Sequence, residues 1–289
     1  MAALKDIRRK INAVQKIRQI TRAMNMVAAS KFKAAQARMV NFRPYSESLM
    51  EVLNDLAASV GIESHPLMTI REPKKIRVLL ITSDRGLCGG FNNNLIKTTE
   101  RFIAEKRSAG LDVELLTIGK KGKDYFNKKL NIVNARTDVL GKFDMSLAVS
   151  VSEEIIPPFL TEGYDEFYVI YNEFVNISVQ KPKVLKLLPL AAIKKSEDYQ
   201  GEIEYIYEPS AKEILEKLLP MYVHVMLYRA LAESSAGENG ARMAAMDNAT
   251  RNCEDMIGGL TLKYNKARQA AITAELMDIV GGTEALAKG

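Results

Sequence analysis

The residues best suited to chemistry lie in one turn, Ser-Asp-Arg-Gly-Leu-Cys-Gly-Gly-Phe-Asn at positions 83–92. An apolar, strand-like run (76–82) precedes it and a helical pattern follows, the order in which a glycine turn and a helix N-terminus can cradle phosphate. Gly86, Gly89 and Gly90 match neither the dinucleotide spacing G-x-G-x-x-G nor the P-loop G-x-x-x-x-G-K-[ST], and no lysine follows where phosphates would need it. The turn therefore reads as structural. Cys88 is its one nucleophile, but with no histidine nearby in sequence it reads as a packed thiol. His65 and His224 stand alone, without the carboxylate or nucleophile that a catalytic base requires. Cys88 and Cys253 form no paired ligand motif, which disfavours zinc and points to a reducing compartment. The expectation is a chain with no catalytic residue, no cofactor site and no metal site.

The elements around that turn read as α/β. Strand patterns at 76–82, 113–118 and 167–171 alternate with helical ones at about 94–109 and 146–160, the second ending at Pro157 and Pro158. Such alternation favours a parallel, Rossmann-like sheet. The segment 176–190, with Pro182 and Pro189, reads as an edge or hairpin addition.

Two helical arms flank this middle. Residues 1–43 carry eleven Lys or Arg against one acid, Asp6, so this arm holds +10 of a chain whose net charge is +6. Its apolar residues fall at Leu4, Ile7, Ile11 and Val14, then at Ile17, Ile20, Met24 and Val27, two heptad segments joined by a three-residue step that should overwind a coiled coil. Alanines at 28, 29, 34, 35 and 37 thin the surface, Pro44 is a candidate kink, and some 55 helical residues would reach about 80 Å. The second arm opens at a Ser210/Glu213 capping box, is kinked or restarted by Pro220, and shows a seam at Ile257, Leu260, Tyr264, Ala267, Ala271 and Ala274. A second stripe at Ile272, Leu276 and Ile279 gives it an apolar tip, and Gly281 and Gly282 should stop it. The arms can pair only antiparallel, leaving about 20 Å of the second unpaired and in need of a socket. The expected divisions are 1–60, 61–208 and 209–289: first coiled-coil helix, α/β domain, second coiled-coil helix.

Ten excess charges within 43 residues require an acidic partner. Nucleic acid is one candidate, but Phe32 and Phe42 give no stacking pattern and no DNA-reading module is recognisable. A free α/β nucleotide-binding enzyme with helical dimerisation arms is another. No apolar run approaches the roughly 18 residues of a membrane span, and the arm's seam is too regular for a discarded presequence.

The residues also carry a family resemblance. ITRAMNMVAASK (20–31), SDRGLCGGFN (83–92), EYIYEP (204–209), YNKARQAAITAEL (264–276) and the terminal IVGG (279–282) together resemble the gamma subunit of F-type ATP synthases over nearly the whole length. The resemblance implies a non-catalytic rotor: a long antiparallel coiled coil inside a ring of alpha and beta subunits, with an α/β part resting on the epsilon subunit and the membrane c ring. Its rotation couples ion flow to ATP synthesis and hydrolysis at the beta subunits. It further implies that Arg8, Arg9, Arg22, Met24 and Lys31 face acidic beta loops, that Arg242, Arg268, Gln269 and Thr273 make polar contacts with the ring, and that Tyr205, Tyr207 and Glu208 lie near epsilon and the c ring. Neither nucleic acid nor membrane insertion is expected, and no thiol control, because the cysteine-bearing insert of the photosynthetic branch is missing. The start of the match near Leu4 favours a bacterial source and a peripheral place on the cytoplasmic side of the inner membrane.

Overall fold

In the first helix, α1 (Ala2–Val60), one stripe at every third and fourth residue is buried or half-buried without interruption, 4, 7, 11, 14, 18, 21, 25, 28, 32, 35, 39, 42, 46, 49, 53 and 56, with 24, 29, 38 and 50 half-buried beside it. The computed structural model describes residues 2–60, 65–190 and 210–287. These form two compact units, one of 1–28 with 243–289 and one of 29–242.

The larger unit is built on a five-stranded sheet in the order β3-β2-β1-β4-β5. After a short 3-10 turn (Pro66–Met68) come β1 (Lys75–Ile81), α2 (Phe91–Ser108), β2 (Asp112–Ile118), α3 (Lys120–Phe126), β3 (Ile132–Arg136), α4 (Met145–Leu160), β4 (Glu166–Phe174) and β5 (Gln180–Leu188). The first four strands are parallel and β5 closes one edge antiparallel to β4. Strand geometry sends alternate residues of β1 to opposite faces. Ile76, Val78 and Leu80 enter a core with Leu95, Ile103 and Phe126 of α2 and α3, whereas Leu79 and Ile81 enter one with α4, α1 (Leu53, Leu56) and the last helix, α5 (Ala211–Ala287; Leu219, Leu227). Both faces are covered, as a parallel sheet requires.

Proline ends none of the helices. Pro44, Pro157, Pro158 and Pro220 all lie inside helical segments, so α4 does not stop at Pro157 and α5 is not restarted at Pro220. Each removes one backbone donor, and the consequence depends on what the freed carbonyl meets. Pro158 frees the carbonyl of Glu154, and Arg77 donates to that oxygen from Nη1 at 3.4 Å. Pro44 is exposed, as is Val40 one turn before it, so water can serve the freed carbonyl. Gly281 and Gly282 do not end α5 either: the helix runs on to Ala287, with the Thr283 hydroxyl donating back to Val280 O at 2.8 Å. Glycine permits the left-handed stop but does not impose it. Half of the Ser210/Glu213 capping box is present: Glu213 N–H donates to Ser210 Oγ at 3.3 Å, while Glu213 Oε1 accepts from the Ser210 hydroxyl at 3.2 Å.

In the smaller unit, 2–28 of α1 pairs with 243–287 of α5. The pairing is antiparallel: Thr250 Oγ1 donates to Thr21 Oγ1 at 2.8 Å, and Asn25 Nδ2 donates to Met243 O at 2.9 Å. On α5 the inward positions are 246, 250, 253, 257, 260, 264, 267 and 271, a second unbroken heptad. With Thr21 level with Thr250, Ala2 falls level with Gln269. Residues 270–287 therefore have no counterpart on α1.

Candidate functional site

Two places could carry function, the glycine turn and the outer surface of the helix pair. The turn follows β1 at the carboxyl end of the sheet. There the chain proceeds to β2 on one side and later returns to β4 on the other, the crevice where open α/β sheets bind ligands. Ser83 and Asn92 fix its base. Asn92 Oδ1 accepts Ser83 N–H at 3.0 Å, while its Nδ2 donates to Ser83 Oγ at 2.7 Å and to Cys88 Sγ at 3.2 Å. Asp84 ties the three loops after β1, β2 and β3 together, one carboxylate oxygen accepting the N–H groups of Lys120 (3.0 Å) and Asp138 (2.9 Å). Gly119, at φ 97°, is held so close that an added Cβ would lie 2.0 Å from Thr82 O; only glycine fits.

Helix α5 fills the crevice. Gly237 packs against Phe91, the first residue of α2, and against Gln180; a Cβ there would lie 3.2 Å from each. Asn172 of β4 donates to Phe91 O at 3.1 Å. One turn further along, Arg242 pairs with Glu238 at 2.7 Å and reaches the carbonyls of Arg85 and Gly86 at 3.4 Å. Burial pushes the Glu238 carboxyl above its ordinary range against the pull of Arg242, and burial likewise raises the Cys88 thiol. A buried, protonated thiol is a poor nucleophile. His65 accepts Leu67 N–H on Nδ1 at 3.1 Å; burial lowers its pKa and that of His224, opposed by Glu216 and Glu153 respectively. Among the described residues no cluster could hold a metal ion. An open groove of about 510 Å³ remains beside the turn, where Lys121 of α3 comes alongside Gly86, with Asp124 and Tyr125 further along the wall. Sequence spacing could not reveal Lys121, because it arrives from the start of α3.

The helix pair departs from expectation in one respect. Its seam does not step from Val14 to Ile17. The heptad runs on through Arg18, Thr21 and Asn25 to Ala28, so Ile17 (50 % exposed), Ile20 (59 %) and Val27 (57 %) face outward, with Met24 half-buried between them. The predicted overwinding step is absent. Counting back in threes and fours from Leu56, Leu53, Leu49 and Phe32, where the stripe is unambiguous, would have given the observed register.

Arg8, Arg9 and Arg22 are exposed on this surface, Arg9 within 3.7 Å of Asp6, and Lys31 is exposed on the α1 segment of the larger unit. Arg268, Gln269 and Thr273 are exposed together on α5, Thr273 Oγ1 donating to Gln269 O at 3.0 Å. Arg242 belongs instead to the sheet-bearing unit, where it has the partners described above. Tyr205, Tyr207 and Glu208 lie outside the described residues. Residues that spacing alone passed over are Glu238, which anchors Arg242, and the Thr21/Thr250 pair.

The family model described as ATP synthase matches residues 3–286. The ATP synthase gamma chain of Syntrophus aciditrophicus (strain SB) is 62 % identical over 291 residues, covering 100 % of both chains. That of Nitratidesulfovibrio vulgaris (strain Hildenborough) is 48 % identical over 99 % of each. Among solved structures, the central stalk and c ring of the Tetrahymena thermophila mitochondrial ATP synthase contains a chain with 28 % identity and a TM-score of 0.60, covering 80 % of this chain and 99 % of that one. A chain of the Euglena gracilis mitochondrial enzyme shares the fold at a TM-score of 0.69 and 19 % identity, covering 99 % of this chain and 95 % of that one. By this match over nearly its whole length, the chain belongs to the ATP synthase gamma-chain family, whose members are stalk subunits without an active site of their own.

Proposed function

We propose that the chain is the rotor of a bacterial ATP synthase, its helix pair turning inside a ring of alpha and beta subunits and its sheet-bearing unit standing on the epsilon subunit and the c ring. The observation that carries this reading is the outer surface of α1. There a solvent-facing apolar stripe, Ile17, Ile20 and Val27, is flanked by the exposed cations Arg8, Arg9 and Arg22, while the pair's own seam is polar at Thr21 and Asn25. A pair of helices serving only itself would bury the apolar stripe and expose the polar one.

Chemistry then resides elsewhere, and the rotor acts by stabilising different conformations of the beta subunits in turn. Arg8, Arg9, Arg22, Met24 and Lys31 meet acidic beta loops; Arg242, Arg268, Gln269 and Thr273 make polar contacts with the ring; Tyr205, Tyr207 and Glu208 serve the epsilon and c-ring end. The complex sits on the cytoplasmic side of the inner membrane, this subunit peripheral to it: no described helix is long and apolar enough to cross a membrane. The full-length family match disfavours both the free enzyme and the nucleic-acid binder.

Charge reversal tests the reading. Replacing Arg8, Arg9 and Arg22 by Glu should impair assembly or the ratio of ATP-driven ion pumping to hydrolysis. The same change at Lys97, Lys120 and Lys128, exposed in the sheet-bearing unit, should be tolerated. Equal effects of the two triple variants would remove the acidic partner.

A further inference from the structure

The tip of the hairpin between β4 and β5 is apolar where a tight turn is ordinarily polar. It reads Val-Asn-Ile-Ser-Val over 175–179, and Val175, Ile177 and Val179 are 50 %, 37 % and 39 % exposed. Polar side chains brace it from within. Asn176 Oδ1 accepts Ser178 N–H at 2.9 Å and Val179 N–H at 2.8 Å, while Gln180 Nε2 donates to Asn176 O at 3.1 Å and to Ile177 O at 2.7 Å. Helices support it from behind: a Cβ at Gly240 of α5 would lie 3.7 Å from Ile177 Cα and 3.4 Å from the Phe32 ring, and Phe32 of α1 packs on Phe174 with ring centroids 5.7 Å apart.

Asn176 and Gln180 define the turn, so the exposed part of each apolar side chain adds nothing to the fold. A rigid apolar surface of this kind loses little entropy when a partner covers it. Charge selects the partner. Lys31 and Lys33 flank Phe32 on α1 and Lys181 follows the hairpin on β5, all three exposed, whereas Glu173 and Glu238 nearby are already engaged by Lys183 and Arg242. An apolar tip set among exposed cations fits an acidic surface with an apolar centre.

We propose that the hairpin tip 175–179 is an interaction surface for the beta subunit, docking beside the acidic loop that meets Lys31. The proposal rests on the rotor reading and adds to it a contact made by the sheet rather than by either long helix.

The test uses the assembled complex. Val175→Thr, Ile177→Thr and Val179→Thr together keep the branch at Cβ and remove the apolar contact. In competition with the native chain for a limiting supply of ring subunits, this triple should be incorporated about tenfold less, while the urea midpoint of the isolated chain stays near the native value. Lys33→Glu with Lys181→Glu should also lower incorporation, more at low salt than at high. A photo-crosslinking benzoyl-phenylalanine in place of Ile177 should attach to an acidic segment of the beta subunit, identified by peptide mass, and the same group in place of the exposed Lys128 should not.

Native-like incorporation of the Thr triple, or capture from position 177 of epsilon, of the c ring or of nothing in a complex that assembles, overturns the hairpin contact and leaves the rotor reading intact. Unchanged incorporation of the Glu pair overturns the acidic partner. Failure of the native chain to enter the complex at all would instead remove the rotor reading. If the Thr triple does not fold, the cross-link from position 177 decides alone.

Discussion

Ile17, Ile20 and Val27 give the sharpest perturbation, because the chain itself gains little from them. They are 50 %, 59 % and 57 % exposed, so about half of each side chain has already left water and the other half awaits a partner. Full burial of a Val or Ile side chain is worth about 1.5–3 kcal/mol, so covering the exposed half should contribute about 1 kcal/mol each. Replacing all three by Gln should therefore weaken insertion into the ring by about 3 kcal/mol, roughly a hundredfold. Comparing variants cancels the common cost of association, which prevents buried area from being read directly as affinity. The unfolding midpoint of the chain alone should stay within about 0.5 kcal/mol, since Gln is at least as good a helix former as the residues it replaces. Val14→Gln is the contrasting variant: it sits in the seam at 9 % exposure and should cost the isolated chain about 2 kcal/mol. The assay sets tagged variant against untagged native chain for a limiting supply of ring subunits, with urea unfolding measured alongside. A midpoint loss above about 1 kcal/mol in the Gln triple would mean the stripe packs within the chain. That result would refute the outward register, whereas undiminished incorporation would mean that nothing covers the stripe and would refute the ring contact.

Three further outcomes follow from individual sites. Gly258→Ala and Gly259→Ala should each stabilise the chain by about 1 kcal/mol, as an added Cβ meets nothing within 4 Å, whereas Gly119→Ala, clashing with Thr82 O, should cost more than about 3 kcal/mol; chemical denaturation measures all three. Burial would raise the Glu114 carboxyl, but the bonds from Lys75 and Arg77 override it and hold it below the usual range. Its stabilisation is therefore full above the unfolded carboxylate pKa and is lost as pH falls through the depressed folded value. Glu114→Gln should flatten that acid limb and, by leaving Arg77 unpaired beside Tyr164, cost about 3 kcal/mol at neutral pH. Finally, the isolated chain should bind neither ATP nor NAD at micromolar concentration in titration calorimetry, because Gly86, Gly89 and Gly90 have no phosphate-binding spacing and Gly237 of α5 packs against Phe91 at the start of α2.

The sheet was legible where burial was complete. The apolar runs of β1, β2 and β4 announce buried strands, and Pro182 marks β5 as an edge. β3 and α3 were not. β3 is half exposed and reads Ile-Val-Asn-Ala-Arg, and α3 is a seven-residue helix whose first four residues, Lys-Lys-Gly-Lys, carry no apolar period. Pro157 and Pro158 misled for a related reason. A sequence shows which N–H is missing, whereas the outcome depends on the acceptor left behind, and for Glu154 O that was settled by Arg77, distant in the chain.

The seam shows the same limit at the candidate site. Over residues 4–14 the apolar residues and the inward face coincide, and the reading by spacing is right. From 17 to 27 they diverge, because apolar periodicity reports which face avoids water without saying what covers it. In a protein that works alone, those two questions have one answer. In a rotor they have two, one face for the partner helix and one for the ring, and the assignment must come from register carried in from a segment where only one answer exists. The positions where the apolar period shifts by one residue are thus the best sequence signal of the surface proposed to meet the ring. The hydroxyls at Thr21 and Thr250 are what the chain places in the face that was vacated.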